Sequence, residues 1–395
     1  MHNTAERYSH NDGEGYYVGL QTNLKRLSLS QETMARLSYP TNNLGDCYQP
    51  EKCLLPNTMA QERLAVERMA AWLGLPADET WGYVGGGSSF GNLQGMWMGA
   101  TILPDATLVF TESAHYSIHK FATCLRFKKV KVIKSHLNGE IDLEDFERQI
   151  EQGERVVIVL TAGTTMTSAY DPVARCAAVL EQYRCDYYLH MDAALGGLIV
   201  PFIDSAILPT RDDYTFRNPA VSSTTISMHK VLGAPMPANV FIARQSVVSR
   251  FKEMVNRIPY FNDLEDITVY GSRDGFRAAL IYEQLLNVTP QKLEALVSTN
   301  AQQAQQLASG LRAVGLDSTF AQPGGLAVVI PLASLDRMLT AQQQDMLQRK
   351  YRPVRSKQVL HLYVMGHVTS AMCREFLEDC RAMVRLNQRT QTAEV

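Results

Sequence analysis

Short β-branched and apolar runs recur through the middle of the chain, separated by stretches with helical spacing. TWGYVG, ATLVFTE, VKVIKS, RVVIVLTAG, YYLHMDAA, STTISMHK and NVFIARQ read as strands. Asn92 to Ala100, His115 to Cys124, Leu143 to Gln152 and Val173 to Tyr183 read as helices between them. Strands alternating with helices predict an α/β layer fold with a mainly parallel sheet. Ahead of these, NTMAQERLAVERMAAWLG has a threonine near its start, apolar residues at helical spacing and a glycine stop, and predicts a helix. The first 55 or so residues carry turn signals (YPTNNLGDCYQPE) and little periodicity, which predicts an arm with a short helix. From about Ser272 the pattern changes to long helices, then LAVVIPL, a glutamine-rich helix near 340 to 349, VLHLYVMGHV and a last helix ending near Leu386 before a frayed tail. The expected organisation is an arm over 1–55, a large domain over 56–285 and a small α+β domain over 286–395.

In parallel α/β sheets, ligands gather at the carboxyl ends of strands. At those ends this chain places GGGSSFGN, SAHYSIHK, AGTT, DAALGG and HK. GGGSSFGN offers close backbone approach, two hydroxyls and a helix start, which suits a phosphate and equally a glycine-rich turn with serine caps. It lacks the Lys-Ser/Thr ending of a nucleotide P-loop. His115 and His119 share one helix face, but Tyr116 stands where a zinc motif has Glu, so a stacking role for His115 and a surface position for His119 compete with metal. Asp192 follows an apolar strand and is either a turn cap or a carboxylate wanting a cation. Lys230 at its strand end is either a surface lysine or a nucleophile whose pKa a desolvated pocket lowers. Together, a phosphate loop, an imidazole, an isolated acid and a lysine meet the needs of pyridoxal phosphate.

Composition narrows the partners. With 46% hydrophobic and 20% charged residues and a net charge of −2, the chain has a globular balance. No Lys/Arg block points to nucleic acid or an anionic membrane. The seven cysteines form no C-x-x-C pair, so neither a zinc knuckle nor a disulfide framework is expected, and a reducing cytoplasm is the expected location. MHNTAERYSHNDGEGYY contains no apolar leader core, and runs such as LGGLIVPF are too short to span a bilayer.

The order of these motifs resembles the pyridoxal-phosphate-dependent group II amino-acid decarboxylases, and within them the bacterial histidine decarboxylases and plant serine decarboxylase. The resemblance runs over roughly residues 35 to 370 and rests on YPTNNLGD, WGYVGGGSSFGNLQGM, ESAHYSIHKFA, GTTMTSAYDPV, HMDAALGGLIVPF, SMHKVLGAPMP, TVYGSRDGF and HVTSAMCREFLED. It implies the fold type I (aspartate aminotransferase-like) architecture, with a central mainly parallel sheet and a small C-terminal α+β domain. It also implies α-decarboxylation of an L-amino acid, histidine or a small or modified polar one. Lys230 is then the lysine that carries the cofactor, Asp192 the partner of the pyridine nitrogen, and His115 the ring-stacking residue that can also meet the substrate carboxylate. Ala194 packs on the other ring face, Thr165 lies near the ring, and Ser88, Ser89, Ser227 and His229 hold the phosphate. Ser272 reaches the phosphate of a partner subunit, implying a homodimer with composite sites. Four positions depart from the family pattern: Phe90 stands in place of an acid, Met228 in place of a small residue, Phe276 in place of a histidine, and Ile330 in place of a phenylalanine. The acid that returns a proton to the α-carbon is sought in 334 to 356, with Ser334 one candidate. An aminotransferase, using Arg352 or Arg355 for a carboxylate, a C–C or C–S lyase, and oxidative deamination are the competing reactions.

Overall fold

The computed structural model describes residues 16–25, 27–253, 257–258 and 264–393; the leader reading at residues 1–15 lies outside them. The chain forms two compact units. The larger takes Arg26–Thr165 and Ala169–Glu294, and the smaller takes the segment ending at Lys25, Met166–Ser168 and the chain from Ala295.

The larger unit opens with helix α1 (Gln31–Ala35), strand β1 (Asn42–Leu44) and helix α2 (Met59–Trp72). The sheet-forming part follows: β2 (Thr80–Gly85), α3 (Ser88–Ile102), β3 (Thr107–Thr111), α4 (Tyr116–Cys124), β4 (Val130–Ile133), α5 (Leu143–Gln149), β5 (Arg155–Thr161), α6 (Val173–Gln182), β6 (Asp186–Asp192), β7 (Val221–Ser227) and β8 (Asn239–Arg244). After these come α7 (Gln245–Lys252), β9 (Arg257–Ile258), β10 (Leu264–Glu265), β11 (Ser272–Asp274) and α8 (Gly275–Asn287). Seven strands make one sheet in the order β2-β8-β7-β6-β5-β3-β4. The run from β4 to β7 is parallel, and β8 pairs antiparallel with both β7 and β2. All seven runs read as strands from the sequence are present. β5 is buried from Val156 to Thr161, which explains its unbroken apolar character: a strand covered on both faces has no polar side to show.

Two features of α3 place the site. The helix begins at Ser88, four residues before the sequence reading has it, because Gly87 takes φ 127° as the N-cap, a conformation open to glycine. Gly91, Gly95 and Gly99 then form a stripe at four-residue spacing that lets the helix press onto the sheet. A Cβ at Gly91 would lie 2.0 Å from Thr225 Oγ1, and one at Gly95 would lie 2.3 Å from His190 Nδ1. Buried aromatic and aliphatic side chains, including Trp81, Tyr83, Phe110, Val157 and Phe241, form a core at the sheet.

The smaller unit contains most of α9 (Pro290–Ala313), then β12 (Ala327–Pro331), α10 (Leu332–Met338), α11 (Ala341–Tyr351), β13 (Val354–Arg355), β14 (Val359–Tyr363) and α12 (Ser370–Ala393). Its three strands pair antiparallel in the order β12-β14-β13. α12 continues to Ala393 rather than ending near Leu386, since NQRTQTA contains neither proline nor glycine to stop it. Among the described residues no helix is long and apolar enough to cross a membrane.

Candidate active site

Four strand ends and one helix start build the site. At the start of α3, Ser88 is buried and its Oγ lies 2.8 Å from Ser227 Oγ at the end of β7. Thr225 Oγ1 donates to the same Ser88 oxygen at 3.3 Å. Ser89, next in the first turn, is partly exposed. As the first two residues of a 15-residue helix, Ser88 and Ser89 have N–H groups without intrahelical acceptors. The preceding glycines are held from behind: Gly86 N–H donates to Tyr270 OH at 2.7 Å, and Gly87 N–H to Asn239 Oδ1 at 3.0 Å. The space beside Gly87 is open, the nearest atom to an added Cβ being Pro237 Cβ at 3.8 Å. N–H groups, hydroxyls and the positive end of a helix dipole together suit a phosphate.

Asp192, the last residue of β6, is buried, and both its carboxylate oxygens accept hydrogen bonds. Oδ1 accepts from the Ala194 N–H at 3.1 Å and Oδ2 from Asn92 Nδ2 at 2.8 Å. Asn92 Oδ1 accepts from His190 Nε2 at 3.0 Å, so that nitrogen carries the proton. His190 Nδ1 therefore accepts from Ser223 Oγ at 2.8 Å, and Ser223 Oγ accepts from Tyr188 OH at 2.7 Å. Every member of this chain is buried.

His190 is consequently locked as the neutral imidazole, and burial pushes its pKa down to about 4, with Asp192 pulling the other way. An unfolded histidine takes up its proton near pH 6.5, so between there and about pH 4 the unfolded chain binds a proton the fold refuses, and stability falls as pH falls. We expect His190→Gln to remove on the order of 3 kcal/mol of that loss. Urea unfolding at several pH values between 7 and 4.5 checks it; equal slopes for both proteins would refute it.

His115 precedes α4 as its N-cap and is half-buried. Its Nδ1 accepts from the Ser117 N–H at 3.3 Å and lies 2.8 Å from Ser117 Oγ. Nε2 is thus left as the N–H end of a neutral ring, and burial lowers its pKa. His119, four residues on, packs edge-on against Phe110 at 4.6 Å between ring centres.

Lys230 follows β7. Burial pulls its pKa down, and the charge of Asp192 opposes the shift. Beside it, His229 Nδ1 lies at 3.2 and 3.3 Å from the carbonyl and amide of Ala238, a contact that fixes the ring. Met228 is fully buried, with its N–H bonded to Ala238 O at 2.8 Å, and Ala234 N–H returns to its carbonyl at 3.0 Å. The main chain on both sides of Lys230 is therefore pinned. Ala194 O accepts the Ser227 N–H at 3.1 Å, tying the Asp192 turn to the end of β7.

Two buried hydroxyls near these ends have no partner: Thr161 Oγ1, whose residue is in register with Asp192 on the neighbouring strand, and Thr111 Oγ1 at the end of β3. A buried hydroxyl left unpaired costs ~1–3 kcal/mol, so such groups point to a polar ligand. Loop N–H groups and serines, an acid that only accepts, a desolvated lysine and unpaired hydroxyls fit pyridoxal phosphate.

The Ser272 hydroxyl bonds outside this cluster. Ser272 is exposed on β11, and its Oγ accepts from Asn42 Nδ2 at 2.9 Å across the β1–β11 pair. Thr165 is partly exposed in the turn after β5. Phe90, 44% exposed, stacks on Tyr270 at 4.9 Å. In the smaller unit Ser334 Oγ donates to Asp317 at 3.2 Å, Arg352 stacks on Tyr17, and Arg355 donates to Gln344. The sequence reading missed Asn92, His190, Ser117, Thr161 and Tyr270. For the first two, the glycine stripe was the available signal, since it marks the helix face that meets β6.

The fold and this donor set define a pyridoxal-phosphate-dependent enzyme. The sequence profile of the pyridoxal-dependent decarboxylase conserved domain matches residues 91–329. The chain is 31% identical over 336 residues to a histidine decarboxylase of Pseudomonas entomophila (strain L48), covering 84% of this chain and 78% of the relative. It is 30% identical to a histidine decarboxylase of Morganella morganii, over 84% and 83% of the two chains. In structure it is similar to L-methionine decarboxylase from Streptomyces sp. 590, with a TM-score of 0.77 at 18% identity over 93% and 92% of the chains. It is likewise similar to the Burkholderia pseudomallei K96243 sphingosine-1-phosphate lyase, with a TM-score of 0.71 at 17% identity over 99% and 90%. The chain belongs to the pyridoxal-dependent decarboxylase family. It is an enzyme that decarboxylates an amino acid with pyridoxal phosphate as cofactor.

Proposed function

We propose that the substrate is histidine or a small or modified polar L-amino acid, and that Lys230, Asp192 and His115 are the catalytic residues. The observation that carries the reading is that Lys230 follows β7, the strand paired with β6, whose last residue Asp192 is a doubly hydrogen-bonded carboxylate whose charge acts on the lysine. The substrate class rests on the two histidine decarboxylases above. When bound, the cofactor supplies an electron sink for the pair left at the α-carbon as carbon dioxide departs. Lys230, with its ammonium disfavoured by burial, would anchor the aldehyde. Asp192 would present its carboxylate to the pyridine nitrogen. His115 would cover the ring, with Nε2–H left for the substrate carboxylate because Nδ1 accepts from Ser117. Ser88, Ser89, Ser227 and His229 would hold the phosphate, with Ala194 on the second ring face and Thr165 near the ring.

The active form is read as a homodimer in which Ser272 completes the partner's phosphate site. Support comes from its exposure on β11 and from its pairing with Asn42 instead of the Ser88 loop. With seven cysteines unpaired, a cytoplasmic setting suits the protein.

The purified protein is expected to show a visible cofactor band and to release CO₂ and amine from histidine or a similar amino acid. Lys230→Ala is expected to lose the covalent band and at least ~10³-fold in turnover. Absorbance and a mass-spectrometric amine screen check both. A band unchanged in Lys230→Ala would overturn the lysine assignment, and no CO₂ from any polar amino acid would overturn the substrate class.

A further inference from the structure

Asn92 occupies a position that the assigned roles leave unused. Its amide makes three hydrogen bonds. Nδ2 donates to Asp192 Oδ2 at 2.8 Å and to Ser117 Oγ at 3.4 Å, while Oδ1 accepts from His190 Nε2 at 3.0 Å. Ser117 in turn meets His115 Nδ1 at 2.8 Å. The side chain is 1% exposed, so water does not compete for these bonds.

The bonds on the His115 side take their direction from the Ser117 N–H. The Ser117 N–H donates to His115 Nδ1, which makes that nitrogen an acceptor, so Ser117 O–H also donates to it. Ser117 Oγ is then free to accept from Asn92. On the other side, His190 receives its own hydrogen bond from Ser223, which Tyr188 supplies. Asn92 thus sends N–H bonds toward two residues that flank the cofactor and is itself braced by His190.

We propose that Asn92 is a positioning residue that orients Asp192 and His115 together: its amide N–H holds the Asp192 carboxylate directly and braces the Ser117 hydroxyl that holds the His115 ring. The inference rests on the assignment of Asp192 and His115 in the proposed function. The titratable groups around Asn92 are Asp192, His190 and Tyr188 on β6 and His115 before α4, with Lys230 after β7 acting on Asp192. Its backbone seat is secure, four residues into α3 and beside the close approach at Gly91.

The two arms can be cut separately in the full-length holoenzyme. Asn92→Asp keeps the shape and the bond from His190 but sets a second acid against Asp192. The pH response of the bound-cofactor band is expected to move by about a unit or more, with kcat lowered at least ~10-fold. Asn92→Leu removes both donations and is expected to move the band as well. Ser117→Ala removes only the hydroxyl that links Asn92 to His115 and leaves the backbone N–H on Nδ1. It is expected to leave the band in place while raising KM for the substrate roughly 5-fold or more. Thermal melts of all three accompany the spectra. A wild-type band retained with its pH response in both Asn92 variants overturns the proposal, as does a Ser117→Ala enzyme with unchanged KM. If the wild type shows no cofactor band, the reading of the site falls and this proposal with it; a band that Lys230→Ala removes while both Asn92 variants keep the wild-type pH response leaves that reading standing and rejects the role of Asn92.

Discussion

Asp192→Asn is expected to lower kcat by at least ~10³-fold, equivalent to about 4 kcal/mol of lost transition-state stabilisation, while the protein still folds. The carboxylate accepts from Ala194 N–H on one oxygen and Asn92 Nδ2 on the other. An asparagine has one acceptor oxygen, so its NH₂ must face one of those donors or turn toward the cofactor nitrogen. Facing Ala194 N–H or Asn92 Nδ2 it sets donor against donor, and in every orientation the variant lacks the negative charge that, in the proposed function, would hold the pyridine nitrogen protonated. Steady-state CO₂ release beside a thermal melt checks it. A loss under ~10-fold with an unchanged melting temperature would mean that Asp192 is a turn cap and not the acid of the site.

Glu62→Ala is expected to cost about 3–5 kcal/mol in stability, seen as a fall of roughly 4–6 °C in the melting temperature. Glu62 and Arg273 are both buried, with Arg273 Nε 3.0 Å from Oε1 and Nη2 3.2 Å from Oε2. Burial alone would lower the pKa of the guanidinium; Glu62 more than offsets it and holds the group charged. Glu62 also accepts from the Val84 N–H at 3.0 Å and from Asn43 Nδ2 at 2.7 Å. Removing it strands a buried cation and two donors at once. The double variant Glu62→Met/Arg273→Met is expected to lose less than Glu62→Ala, because it leaves no charge behind. Denaturant unfolding of the three proteins checks the order. A single variant within ~1 kcal/mol of wild type would show that water reaches the pair. The pair also braces β11, where Ser272 sits, against α2 and β1.

Much of this site was legible in the chain because its parts are local. A β-branched run ends, and a glycine loop, a histidine, an acid or a lysine follows it, so strand ends could be read from periodicity and side-chain type alone. The start of α3 was placed four residues late, because a positive φ at Gly87 is a backbone fact that no pattern of apolar positions reports. Asn92 and His190 were hidden for another reason. Each sits inside a regular element, where a polar residue looks like any exposed one until the facing element is known. Their meeting spans 98 residues of sequence, and that of Arg273 with Glu62 spans 211.

The chain by itself determined the alternation of strands and helices, the parallel character of the sheet and the set of groups at its strand ends. It did so because strand burial and turn chemistry are written into neighbouring residues. Tertiary structure alone decided the rest: which hydroxyls pair and which stay unpaired, which nitrogen of each histidine carries the proton, and that one asparagine touches both the acid and the serine that holds His115. Those outcomes depend on a helix pressed onto a sheet to within 2.0–2.3 Å of where a Cβ would stand, a distance set by glycines and felt by residues far away in sequence.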